Sequence, residues 1–162
     1  MIEVDLTPDM VEYATKKAYE LGSLPGSMTK GKGNIIGFLG KIAVCDYYGF
    51  DFIDAHGLDI IFGKISFSVK TKAREKKPMP HYVVSIAEMS IKNDSEMYIF
   101  TCVNYAHTKA WILGFYPKES YLKNADYMVV GETDGSNSHE KLGNCYNMEI
   151  SQLKRLDKND LR

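Results

Sequence analysis

The chain has 162 residues and a formal net charge of -1, with 20 Lys and Arg against 21 Asp and Glu. That length suits one domain with a sizeable core, and the charge balance excludes a uniformly basic nucleic-acid-binding protein. No apolar run approaches the ~20 residues needed to span a membrane, and the acidic start Met1-Ile2-Glu3-Val4-Asp5 leads into no apolar signal segment. Cys45, Cys102 and Cys145 are odd in number and widely spaced. This argues against a zinc site or a disulfide framework and for a reducing, cytoplasmic setting.

Thr7 and Pro8 open the first predicted helix as N-cap and first helical residue. Val11, Ala14, Ala18 and Leu21 form its apolar stripe, and Gly22 closes it. Residues 23–33 read as a flexible basic loop carrying Lys30 and Lys32, either a connector or a segment able to wrap a phosphate backbone. Residues 1–33 are thus a helix and loop leading into a core over 34–162, all within a single domain. Asn34 is the expected cap of a second helix over 35–48, ended by Gly49, with Ile35, Phe38, Leu39, Ile42 and Cys45 on its buried stripe. Gly37 and Gly40 each cost ~1 kcal/mol in a helix relative to Ala, so both imply close backbone approach, most simply to the sheet.

Residues 52–54 read as a short strand, and a β-hairpin follows over 58–72. Ser85-x-x-Glu88 has the capping-box pattern for a short helix to about residue 93, with a strand over 81–86 as the alternative. Residues 97–105 and 109–116 read as strands joined by a turn at His107. Their Tyr98, Phe100, Trp111 and Phe115 are read as sheet core rather than as base-stacking groups. Residues 127–130 and 145–150 are further predicted strands around a polar loop, and 151–156 a terminal helical turn. The order predicts an α/β domain, α+β-like, with a central mixed β-sheet flanked by helices.

The hairpin over 58–72 concentrates the chemistry. Gly63-Lys64 is a two-residue turn in which Gly supplies the positive φ of a type II′ turn. Phe62 then faces Ile65, and Asp59 falls opposite Ser68. Strand side chains alternate, so Ser66, Ser68, Lys70 and Lys72 share one face. Paired residues have Cβ atoms roughly 5 Å apart, so Asp59, Ser68 and Lys70 are expected to converge. Lys64, Lys70, Lys72, Arg74, Lys76 and Lys77 also crowd this hairpin and its exit, with Glu75 the only acid among them. A local basic patch of this kind can bind phosphates, and charge alone is equally consistent with a solvated lysine-rich loop.

Metal-assisted phosphodiester hydrolysis needs carboxylates to hold Mg²⁺ and a group to support the attacking water. Its sequence form is an Asp, a gap and Glu-x-Lys on the next strand, with a further acid from the preceding helix. The stretches Gly37-Phe38-Leu39-Gly40-Lys41-Ile42-Ala43, Leu58-Asp59-Ile60 and Phe67-Ser68-Val69-Lys70-Thr71-Lys72 match that arrangement. With Tyr98-Ile99-Phe100 and Trp111-Ile112-Leu113-Gly114-Phe115, the chain from about Asn34 resembles the PD-(D/E)xK nucleases, in particular small endonuclease-like proteins of bacteriophages. The resemblance implies a restriction-endonuclease-like core, hydrolysis of DNA with Mg²⁺ or Mn²⁺, and a host-cell cytoplasmic location. It makes Asp59 a metal ligand, gives Lys70 the support of water attack, and assigns positions 41 and 68 to the site. Lys72 and Arg74, with Lys30 and Lys32 as secondary candidates, are expected on DNA phosphates. A homodimer is expected for cutting two strands.

Two departures bear on activity. The family has Gly-x-x-Gly-Glu on the helix and Glu-x-Lys on the strand, whereas this chain has Lys41 and Ser68 at the two Glu positions. A divalent cation held by one carboxylate beside an ammonium should bind weakly. The favoured explanation is an impaired or inactivated nuclease, and the alternative is a non-catalytic DNA-binding or regulatory protein on the same fold. A third is a migrated carboxylate at Glu88, with Glu75 behind it, although the capping box already accounts for Glu88. His56 is read as a structural or solvated turn residue rather than a general base.

Overall fold

The structure, a computed structural model, describes residues 1–22, 34–51, 60–131 and 143–155. Along the chain run β1 (Ile2–Asp5), α1 (Pro8–Leu21), α2 (Asn34–Tyr48), β2 (Ile60–Phe62), β3 (Ile65–Arg74), β4 (Val83–Ala87), β5 (Met97–Asn104), β6 (Lys109–Pro117), α3 (Lys118–Asn124), β7 (Asp126–Met128) and β8 (Cys145–Glu149). Single 3₁₀ turns follow β4 at Glu88–Ser90 and β8 at Ile150–Gln152.

Helix α1 begins and ends where local chemistry directs, and α2 ends so, although Asn34 is its first residue instead of the expected cap before it. The Thr7 hydroxyl accepts from the Met10 N–H at 3.3 Å, and Gly22 leaves α1 with φ +61 while its N–H reaches the Ala18 carbonyl. Gly49 ends α2 with φ +74, its N–H on the Cys45 carbonyl at 2.8 Å. Asn34 ties the helices together, its side-chain amide donating to the Gly22 carbonyl at 2.7 Å.

Five described strands form one mixed sheet in the order β1-β6-β5-β3-β2, with β3 and β5 parallel and every other pair antiparallel. The chain is therefore α+β with a central mixed sheet. The period-2 alternation of strands gives that sheet two different faces. Phe67, Val69, Ile99, Val103, Ala110 and Ile112 point to the α2 side and form one core with Leu39, Ala43 and Val44. Gly40 is what lets α2 settle there. A Cβ at Gly40 would lie 2.1 Å from Thr71 Oγ1 and 2.5 Å from Thr101 Oγ1, and those two hydroxyls are themselves hydrogen-bonded at 2.9 Å. Gly37 corrects the paired expectation, since a Cβ there would meet nothing within 4 Å among the described residues.

The other face is covered differently from what the sequence suggested. Long helices flank only one side. The second side carries an antiparallel sheet, β4-β8-β7, together with α3. Val84, Ile86, Met148 and Tyr121 close over Tyr98, Phe100, Cys102, Trp111 and Leu113 to make a second core. The Tyr121 hydroxyl donates to the Tyr146 carbonyl at 2.9 Å, and burial pushes its pKa well above the usual phenol value. At the sheet margin, β1 is pinned to β6: Lys109 reaches Glu3 at 2.6 Å and Asp5 at 3.0 Å, and Trp111 Nε1 donates to Glu3 at 2.9 Å.

Of the two readings of this segment, a helix from Ser85 or a strand over 81–86, the strand is the one found. Residues 83–87 are strand β4, followed by one 3₁₀ turn whose cap position is Ala87 with no side-chain hydrogen bond. The predicted turn at 151–156 is a 3₁₀ turn starting at Ile150, capped by a reciprocal Glu149–Gln152 box. The predicted strand over 52–54 lies outside the described residues.

A cationic cleft on one face of the third strand

The hairpin register is Phe62↔Ile65, Ile61↔Ser66 and Ile60↔Phe67, with Gly63 at φ +61. Lys64 keeps a negative φ, as a type II′ turn requires. Since Phe67 and Val69 face α2, Ser68, Lys70, Lys72 and Arg74 project from the opposite face, toward the second sheet. The parallel register sets Lys70 beside Phe100 and Lys72 beside Cys102.

Strand β4 crosses in front of these cations. Between β3 and β4 lies a cavity of about 180 Å³, lined by Lys70, Lys72 and Arg74 together with Ser85 and Ser90, over an apolar floor that includes Phe100 and Leu113. Lys72 Nζ donates to Ser85 Oγ at 3.0 Å and to the Val83 carbonyl at 3.3 Å. Arg74 Nη2 reaches the same carbonyl at 3.4 Å, and its guanidinium lies 4.8 Å from the Tyr82 ring centroid. Lys70 Nζ sits 5.6 Å from the centroid of Tyr98. Such cation–π contacts contribute ~0.5–2 kcal/mol each, more when desolvated. Lys72 and Arg74 therefore brace the two sheets against each other as well as charging the cleft.

Burial shapes the rest of the site. Ser68 is only 2% exposed. Tyr98 is fully buried, its phenol is pushed up to about 12 by desolvation, and its hydroxyl has no hydrogen-bond partner among the described residues. Arg74 Nε is likewise buried with no oxygen or nitrogen acceptor among the described residues, while the Arg74 side chain hydrogen-bonds the Cys102 thiol. Cys102 lines the floor. Burial raises its thiol pKa, while the adjacent Arg74 and Lys72 charges pull the other way.

The other residues singled out in the sequence are more scattered. Asp59, Lys30, Lys32 and His56 lie outside the described residues. Lys41 is on α2, packed against the opposite face of the sheet from Lys70, with its ammonium 5.2 Å from the Phe38 ring centroid. Glu75 is exposed just beyond β3. Glu88 follows β4, where its carboxylate accepts from the Tyr127 hydroxyl and from the Asn144 amide, both at 3.0 Å. Its partners are thus those two side chains rather than a helix N-terminus, which corrects the capping-box reading.

Ser85 and Ser90 line the cleft, Tyr82 stacks on its Arg74, and none of the three was foreseen. Ser85 gave a signal that pointed elsewhere, toward a helix cap, because its partner Lys72 comes from a different strand.

A hard divalent cation is held by several oxygen donors carrying negative charge. Among the described residues, no group of three or more His, Cys, Asp and Glu side chains could hold one. Of the described residues at the positions matching the family's site, Ser68 and Lys70 share one face of β3, whereas Lys41 lies across the sheet from them, which corrects the expectation that position 41 joins the same site. The described residues at these positions thus offer no carboxylate to Mg²⁺ or Mn²⁺. Compared with known proteins, the chain matches no family model and no curated protein.

Proposed function

We propose that this chain is a DNA-binding protein built on a restriction-endonuclease-like core, a PD-(D/E)xK-type deoxyribonuclease whose metal-dependent hydrolysis is impaired by Lys41 and Ser68. The observation that carries this reading is the row of cations Lys70, Lys72 and Arg74 on one face of β3, in a cleft with no carboxylate in its described lining. Supporting it are the type II′ hairpin and the parallel pairing of β3 with β5. In this reading the cations hold phosphate oxygens, as charge-assisted hydrogen bonds do well. Hydrolysis is weak because the residues that would hold Mg²⁺ or Mn²⁺ have been exchanged for a hydroxyl and an ammonium. The setting proposed is the cytoplasm, that of the host if the protein is phage-encoded, and a homodimer is the proposed form for acting on two strands.

The second reading is a non-catalytic DNA-binding or regulatory protein on the same fold, favoured by the misfit of the described donors to a metal. Rescue separates the two. The Lys41→Glu, Ser68→Glu double variant, shown to be folded by circular dichroism, is incubated with plasmid DNA and Mg²⁺. Mg²⁺-dependent nicking that is absent from the parent supports the nuclease reading. A folded double variant that stays inactive overturns it and leaves the non-catalytic one. Parallel incubation with RNA tests whether DNA is the substrate.

A further inference from the structure

The cavity between β3 and β4 is cut into the second core, and the cations in its lining are engaged by neighbouring groups. We infer that it receives a planar, uncharged, single-ring heteroaromatic group, a pyrimidine base, either as a free nucleoside or turned out from a DNA strand. The assignment of DNA as a source rests on the function proposed above; the ring chemistry rests on the cavity alone.

Three observations converge. The first is the lining. Val84 and Ile86 of β4, Phe100 and Cys102 of β5, Leu113 of β6 and the following Ile150 all line the cavity and all belong to the second core. They come from both sheets, so the space has an apolar wall on each of two sides. Two stacked sheets favour a flat guest, and ring faces pack well on aliphatic and aromatic side chains.

The second is the state of the polar groups. Lys72 donates to Ser85 Oγ at 3.0 Å and to the Val83 carbonyl at 3.3 Å. Arg74 reaches that carbonyl at 3.4 Å, hydrogen-bonds the Cys102 thiol and stacks on Tyr82. A neutral ring makes no demand on their charges. It needs a few polar groups along its edge. Ser85 accepts from Lys72 and carries its own O–H, and Ser90 adds a second hydroxyl residue to the lining. A hydroxyl both donates and accepts, so it suits the mixed carbonyl and N–H edge of a pyrimidine.

The third is size. The cavity holds about 180 Å³, close to the ~150 Å³ of an apolar protein cavity that takes up benzene and below the roughly 300–1,000 Å³ of drug-sized pockets. One ring with its exocyclic groups suits that space, and a whole nucleotide does not. In the DNA reading the backbone meets the cations of β3, as proposed above, and one base occupies the apolar part of the cavity. Bases turned out of a strand are held in pockets of this kind, by stacking and by hydrogen bonds to the base edge.

The test uses the full chain in EDTA. Methyl NMR of protein labelled at Ile, Leu and Val follows additions of thymidine and adenosine, both uncharged. Thymidine is expected to shift the Val84, Ile86, Leu113 and Ile150 signals and to bind at least about tenfold tighter than adenosine. Fluorescence anisotropy then compares two single strands with the same number of phosphates, one carrying a single thymine among abasic sugars and one wholly abasic. The thymine strand is expected to bind at least about tenfold tighter. Ser90→Phe puts a ring into the cavity without touching the Lys72 and Arg74 contacts, and is expected to abolish both the thymidine shifts and the strand preference. Should the variant not fold, the methyl shifts of the parent still locate the site.

Equal, salt-sensitive binding of the two strands, with those methyl signals unmoved by thymidine, overturns the base site and leaves the DNA reading standing. Thymidine shifts with neither strand bound keep the base site and overturn the DNA reading. Failure of every ligand overturns both. Adenosine binding as tightly as thymidine overturns the single-ring assignment. A full thymine preference in folded Ser90→Phe overturns the location.

Discussion

Tyr121 brings a hydroxyl into the second core and gives it a carbonyl to bond, that of Tyr146 at 2.9 Å. Deleting the hydroxyl in Tyr121→Phe removes one buried hydrogen bond and leaves the ring packing intact. A loss of about 1 kcal/mol is expected in urea unfolding, with an unchanged m-value. Glu3 makes a different kind of contribution. Lys109 and Trp111 hydrogen-bond its carboxylate and hold its pKa down from 4.5 to about 2. Because the folded value is the lower one, the stabilisation is complete above 4.5 and is lost as pH falls from there toward 2. Glu3→Gln should therefore flatten the thermal midpoint against pH across that window. The gap between parent and variant should close at the acid end. A gap that stays constant down to pH ~2 would show that the Glu3 contacts do not act through its charge.

The two glycines of α2 make opposite forecasts from the same residue type. Ala at position 40 drives a methyl into Thr71 and Thr101, an overpacking that costs typically ~1–3 kcal/mol. Ala at position 37 meets nothing within 4 Å among the described residues and should gain up to ~1 kcal/mol from helix propensity alone. Chemical denaturation of the two single variants checks both signs. Local chemistry made the helices and the hairpin legible, because caps, glycine stops and a two-residue turn each involve neighbours along the chain. The β4 segment is ambiguous in the sequence, helix or strand, for the converse reason. Ser85-x-x-Glu88 fits a helix start locally, yet Ser85 bonds Lys72 from β3, and Glu88 bonds Tyr127 and Asn144. Strand β1 and helix α3 escaped notice altogether. The first is a four-residue strand paired to β6 and the second a seven-residue helix packed on the second core, and both depend on distant partners.

For the molecule as a whole, the cleft is the consequence of stacking two sheets. Lys70→Met, which removes one cation and keeps much of the side-chain bulk, is expected to weaken DNA binding about equally across sequences. It should also reduce the magnitude of the salt slope by about 1. Titrations of DNA at several salt concentrations measure both, and an unchanged slope would take Lys70 out of the interface.

Alternation along residues 65–74 already determines that Ser68, Lys70, Lys72 and Arg74 share a face, because the pleat has a period of two whatever the strand pairs with. Composition and periodicity likewise determine the mixed α+β class. What covers that face was decided only in three dimensions. Parallel pairing of β3 with β5 requires a crossover, and the crossover carries β4 back over the cations. That return turned an open basic strand into one wall of a cationic cleft, braced by Lys72 and Arg74. No spacing in the chain encodes it, since the contacts join residues whose proximity comes from the packing of two cores.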